Sequence, residues 1–174
     1  MNIKLNKSTI PSDSLIAKYL PSDHSDVYAC TVNCEKEITP DDVMVNFWTN
    51  FPNWISALFK LRDFLAKFVG LKTTESGNTK EFEESIRAGK TYNIASVPAK
   101  NANETVMLLS DKHLNAYISV HIETRKEQKT ISVTTLVNFH NKLGHIYFFV
   151  IRPFHGLITK SLLKRSVKSS IQNI

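Results

Sequence analysis

From Leu114 onward, apolar and polar residues alternate with a period of two. Leu114, Ala116, Ile118, Val120 and Ile122 share one parity, and Asn115, Tyr117, Ser119, His121 and Glu123 share the other. That is the pattern of a strand with one face on a core and the other mostly in water. A second alternating run, Thr130 to Phe139, sets Ile131, Val133, Thr135, Val137 and Phe139 against Ser132, Thr134 and Asn138, with His140 continuing the polar side. Shorter runs at Tyr92–Val97 and Glu104–Ser110 come before these. The connections at Pro98–Asn103, Asp111–His113 and Arg125–Lys129 are too short for parallel crossovers, so the four runs predict an antiparallel meander. An earlier strand is predicted over Asp26–Glu35, where Tyr28, Cys30, Val32 and Cys34 alternate with Val27, Ala29, Thr31 and Asn33.

Elsewhere the period lengthens to that of a helix. Thr39 stands as an N-cap before Pro40, Asp41 and Asp42, the residue types that a helix N-terminus favours. The helix they open carries Val43, Val45, Phe47 and Trp48 and is interrupted at Asn50–Asn53. A second helix is predicted from about Asn53 to Val69, with Trp54, Leu58, Leu61, Leu65 and Phe68 in one stripe, Ile55 and Phe59 widening it, and Gly70 as the stop. Leu71–Gly89 is polar, with a marginal helical turn at Lys80–Ile86. Residues 1–25 read as an irregular entry arm with a short helix at Asp13–Tyr19.

The longest periodic segment runs from Asn138 to Lys168. On a 3.6-residue wheel Leu143, Tyr147, Val150, Phe154, Leu157, Ile158 and Ser161 share one broad arc, which predicts a long helix laying that face on the sheet. Pro153 lacks the amide that would bond the Phe149 carbonyl, so a bend is expected there. Phe148 and Phe149 extend the apolar surface beyond the arc, and either the helix pair or a second copy of the chain, as a homodimer, would cover the surplus.

Composition adds limits. A chain of 174 residues with 42% hydrophobic content suits one domain over 1–174, with the core in 26–168. Neither a signal-peptide core nor about 18 consecutive apolar residues occurs, so a soluble, cytoplasmic protein without stable membrane insertion is expected. The net charge of +6 is uneven. No acid follows Glu127, whereas Lys129, Lys142, Arg152, Lys160, Lys164, Arg165 and Lys168 do. Those cations suit the C-terminal end of a helix dipole. They lack the aromatic interleaving that stacks on bases, so no nucleic-acid partner is expected. Cys30 and Cys34, four positions apart on a strand, would lie roughly 13 Å apart and stay reduced.

Several local strings are similar to the DUF2867 family of uncharacterised bacterial proteins. They are Trp54 with Leu61-Arg62-Asp63 and Gly70-Leu71; Asp111-Lys112-His113-Leu114; Thr135 and Val137; His140-Asn141-x-Leu143-Gly144 with Tyr147; and Pro153-Phe154-His155. The resemblance spans roughly Asp26 to Lys168 and departs from the family pattern at Tyr117 and Ser119. It implies an α+β helix-grip domain of the Bet v 1/START-like kind. In that architecture two helices follow the first strand, and a curved antiparallel sheet wraps a long C-terminal helix around a cavity. No activity is implied.

The chemistry expected is that of a mainly hydrophobic ligand site. Tyr147, Val150, Phe154 and Leu157 would form its wall together with Trp54, and Arg152, His155 or His113 would stand at a polar end. His113 and His121 lie about 26 Å apart along a strand, and His140 and His145 have no acid nearby in sequence, so no metal site and no cofactor are expected. Asn141 reads as a helix cap and Arg62–Asp63 as a structural ion pair. G-x-S-x-G, P-loop, G-x-G-x-x-G and H-E-x-x-H patterns do not occur. Two other function classes stay open: a cavity enzyme doing cyclase- or dehydratase-like acid–base chemistry through a histidine, and a protein-interaction domain.

Overall fold

A computed structural model describes residues 3–58, 60 and 78–172. Its framework is a six-stranded antiparallel sheet: β1 (Leu5–Lys7), β2 (His24–Asn33), β3 (Ala95–Lys100), β4 (Glu104–Ser110), β5 (Leu114–Arg125) and β6 (Gln128–Phe139), in the spatial order β1-β2-β6-β5-β4-β3. The expected meander is present. Its first strand begins at Ala95 rather than Tyr92, because Tyr92 closes only a local bridge to Ala95. Pro98 falls within β3, where the register shifts between Ser96 and Ala99. Being an edge strand, β3 can accept a residue without an amide hydrogen.

Helix α1 (Pro40–Thr49) opens as the sequence predicts. The Asp42 amide donates to Thr39 Oγ1 at 3.2 Å, and the Thr39 amide donates back to Asp42 Oδ2 at 3.2 Å. Helix α2 resumes over 53–58. Its expected course to Val69, the stop at Gly70 and the Arg62–Asp63 pair lie outside the described residues. The marginal turn is a full helix, α3 (Thr79–Ala88), because Asn78 caps its start, Gly89 takes the left-handed φ of 66° at its end, and Arg87 bridges Glu83 to Asp42.

The sheet face expected to be wet is covered around Val106 and Leu136, while Thr31 and Glu123 on it are exposed. The entry arm supplies β1 and a 3-10 helix (Leu15–Tyr19), and it packs Ile16 against Val106 and Leu136 on that face, with Tyr19 stacked on Tyr117 at 4.2 Å. Glu104, fully buried, holds the arm in place. Its carboxylate accepts from Ser14 Oγ at 2.7 Å, from the amides of Leu15 and Ile16 at 2.5 and 3.4 Å, and from Ser119 Oγ. This arrangement satisfies amides that the first turn of a helix leaves without partners.

On the opposite face lies the main core. Val120, Ile122, Ile131 and Val133 meet Met44 of α1 and Leu162, Leu163 and Val167 of the last helix, α4 (Lys142–Gln172). Its 31 residues would span about 46 Å. Asn141 caps α4 as expected, accepting from the Gly144 amide at 3.1 Å. Farther along, Asn46 of α1 and its C-cap Asn50 donate to Ser170 and Ser169 of α4. The helix continues through Pro153, which is exposed.

The inward face of α4 differs from the predicted arc. Leu143, Val150, Phe154 and Leu157 are exposed, as are Ile146 and Phe149, the last with 76% of its surface open. The stripe that turns inward is Gly144, Phe148, Ile151, His155, Thr159, Leu162, Ser166 and Ser170, every third or fourth residue. Glycines on and beside it permit close approach: a Cβ at Gly144 would lie 2.3 Å from the His113 carbonyl oxygen, and one at Gly156 would lie 2.6 Å from Tyr28 Oη. Apolar residues occur on several sides of the first half of this helix, so hydrophobicity alone does not choose the inward side. No helix among the described residues is long and apolar enough to cross a membrane.

Candidate functional site

Between the sheet and the helices lies a cavity of about 220 Å³. Its floor is Leu114, Ala116 and Ile118 of β5 with Thr135 and Val137 of β6. Tyr147, Phe148, Ile151, His155, Ile158, Thr159 and Leu162 of α4 roof it, and Phe47 and Trp48 of α1 close one side. Ser110 and Asp111 at the end of β4 add polar groups. The indole Nε1 of Trp48 is buried without a hydrogen-bond partner. An indole N–H enclosed in an apolar wall ordinarily finds an acceptor.

Two of the expected ligand contacts, Tyr147 and His155, line this cavity. Val150, Phe154 and Leu157 face away from it, as their exposure of 53, 48 and 61% shows. Trp54 is 46% exposed, and Trp48 stands in the wall instead. Arg152 lies outside, on a more open groove with Asp23, His24, Phe139, His145 and Phe148. His113 is buried at the start of β5 but does not line the cavity. Its Nδ1 lies 3.2 Å from the Asn141 capping oxygen, and its carbonyl receives the His140 amide.

His155 has a partner that sequence reading did not pair with it. Its Nδ1 lies 3.0 Å from Asp26 Oδ2, and His24 Nε2 lies 3.3 Å from the same oxygen. Asp26 and His24 are alternate residues of β2 and so share a face of the strand. The contact reaches 129 positions along the chain, which is why an acid-free tail offered no hint of it. The available signal was local: a His-x-Asp pair at strand spacing near an unassigned histidine. Phe148 packs against both imidazoles, with ring centroids 4.7 Å from His24 and 5.9 Å from His155.

Burial works against the charged form of Asp26. Hydrogen bonds and charge from His155 and then His24 outweigh it, and the carboxyl is held below its ordinary range. Tyr28, two residues along, is pushed up by its own burial and then by the Asp26 charge. The arrangement joins a mainly apolar cavity to an oriented histidine, which lines the cavity and bonds a buried carboxylate.

Sheet, helix and cavity together define an α+β protein whose long C-terminal helix roofs a pocket on a curved antiparallel sheet. Residues 20–162 match the family described as protein of unknown function (DUF2867), and the chain belongs to that family. No curated protein and no solved structure matches it.

Proposed function

We propose that this is a helix-grip domain of the Bet v 1/START-like kind that binds a small, mainly hydrophobic molecule between its sheet and C-terminal helix. The observation that carries this reading is the cavity itself, with its mainly apolar lining and its His155 ring. At about 220 Å³ it is smaller than the ~300–1,000 Å³ typical of drug-sized ligand sites. The ligand is therefore compact.

Native mass spectrometry of the gently purified protein tests this. A stoichiometric adduct is expected that disappears in Ala116→Trp, which fills the floor of the cavity. A bare mass in the parent protein, together with no uptake of small apolar probes, would overturn the reading. The Asp26–His155 contact favours a second reading, acid–base catalysis in the same cavity, since a carboxylate on Nδ1 orients an imidazole for proton transfer. An NMR titration in which the His155 ring behaves as in open solvent would remove it.

A further inference from the structure

Among the described residues, one group of three side chains converges with the donor set of a metal site. One ligand atom each from His24, Asp26 and His155 lies within 4.8 Å of the others. Two of the edges, from Asp26 Oδ2 to His155 Nδ1 and to His24 Nε2, measure 3.0 and 3.3 Å. Donors about 2.0–2.1 Å from an ion stand roughly 3.0–3.4 Å apart at neighbouring positions of an octahedron or tetrahedron. Both distances from Asp26 Oδ2 match neighbouring positions in such a shell.

A second observation comes from the carboxylate. Asp26 is 9% exposed, and its Oδ1 is buried with no hydrogen-bond partner. A buried carboxylate ordinarily fills its acceptor sites, and a bare oxygen in such a place calls for an explanation. A cation bound by the carboxylate answers it, because the ion's charge offsets the desolvation that the oxygen suffers. The surroundings hold the donors in place. β2 fixes Asp26 and His24 on one face, and Phe148 packs on both rings and so limits their rotation.

We propose that His24, Asp26 and His155 bind a divalent first-row transition ion such as Zn²⁺. Two imidazoles and one carboxylate suit Zn²⁺, Fe²⁺ or Co²⁺ rather than Mg²⁺ or Ca²⁺, which prefer oxygen ligands throughout. Three protein donors leave the ion a position for water or a ligand atom. To ligate the ion each imidazole turns a lone pair toward it, so a neutral ring carries its proton on the other nitrogen and no proton need be lost. The site stands on geometry independent of the cavity reading. The domain can bind metal with no organic ligand, and the reverse also holds.

The test uses the full-length chain without a histidine tag, stripped with a chelator and titrated calorimetrically with ZnCl₂ at neutral pH. One equivalent should bind with micromolar or tighter affinity, and Mg²⁺ should not bind. His155→Gln and His24→Gln should each weaken binding more than about 100-fold, beyond the 10–100-fold loss typical of an outer-shell partner. His140→Ala, at an exposed ring that is not one of the three donors, should leave binding unchanged. With Co²⁺ the parent protein should show visible ligand-field bands that both glutamine variants lack. Circular dichroism of the metal-free variants establishes that they fold, and the half-buried His24 offers the milder substitution if His155→Gln does not. The proposal is overturned by the absence of saturable Zn²⁺ binding, or by binding that survives in a folded glutamine variant or weakens equally in His140→Ala. The three side chains would then form a hydrogen-bonded cluster only.

Discussion

Replacing Glu104 with alanine should detach the entry arm from the sheet. The carboxylate accepts from two main-chain amides, Leu15 and Ile16, and from the hydroxyls of Ser14 and Ser119. The hydroxyls can turn to other acceptors, but the amides are fixed by the 3-10 turn. Each amide left buried without a partner costs about 1–3 kcal/mol, and relief from burying the charge offsets part of the sum. A net loss of about 3–4 kcal/mol follows. At roughly 2–4 °C per kcal/mol for a chain of this size, the midpoint of thermal unfolding should fall by about 6–16 °C. Glu104→Gln keeps an acceptor for Ser14 and Ile16 but turns an amide toward the Leu15 N–H, so it should lose about half as much. Hydrogen exchange supplies the local readout: the Leu15 and Ile16 amides should lose protection in the alanine variant while core amides of β6, such as Val133, keep theirs. A loss below about 1 kcal/mol with those two amides still protected would refute the claim that Glu104 anchors the arm.

Three further outcomes follow from other positions. Gly144→Ala gains up to about 1 kcal/mol in helix propensity, yet its Cβ would meet the His113 carbonyl at 2.3 Å. The clash is with backbone and should win, lowering stability by about 1–3 kcal/mol in urea unfolding. Burial pushes the Cys30 thiol up to about 12, while Cys34 is half-buried at the end of the strand. A thiol reagent at mildly alkaline pH should therefore modify one cysteine in the native protein and two in denaturant. Asp26 and Asp42 are both held below the ordinary carboxylate range: burial opposes their charge, but His155 and His24 outweigh it at the first, and Thr39 and Arg87 at the second. Depressed folded values stabilise the protein fully above the unfolded value of about 3.9, and that contribution is lost as pH falls through the folded ones. Urea midpoints measured at a series of pH values should fall steeply below about pH 4, and Asp42→Asn should flatten that limb.

The strands were legible because alternation is a local property: Glu104–Ser110 has the bounds the pattern predicts, and Leu114 opens β5 as expected. The cap of α1 was legible for the same reason, since Thr39 and Asp42 are three residues apart. The phase of α4 was not. Its inward stripe is made of Gly144, His155, Thr159 and Ser166 as much as of Phe148 and Leu162, and a wheel weighted by hydrophobicity turns Val150 and Leu157 inward instead. The covered outer face of the sheet had a faint signal in Val106 and Leu136, two apolar residues at the parity of polar ones, but their cover comes from an arm remote in sequence. In the candidate site, His155 and Tyr147 could be picked from the helix alone. Trp48 could be read as core or pocket wall, whereas the pairing of Asp26 and His24 with His155 could not be read, because it comes from contacts that only the closed fold makes.

Gly144 and Gly156 set α4 against two different strands, one at the threshold of β5 and the other on Tyr28 of β2. Between these two abutments lie Tyr147, Phe148, Ile151 and His155, four of the residues that roof the cavity. The span is thus pinned at both ends at a height that main chain and ring dictate. Exchanges at Tyr147 or Ile151 would reshape the chamber beneath without moving the beam, so the shape of the cavity can vary while the scaffold stays as it is.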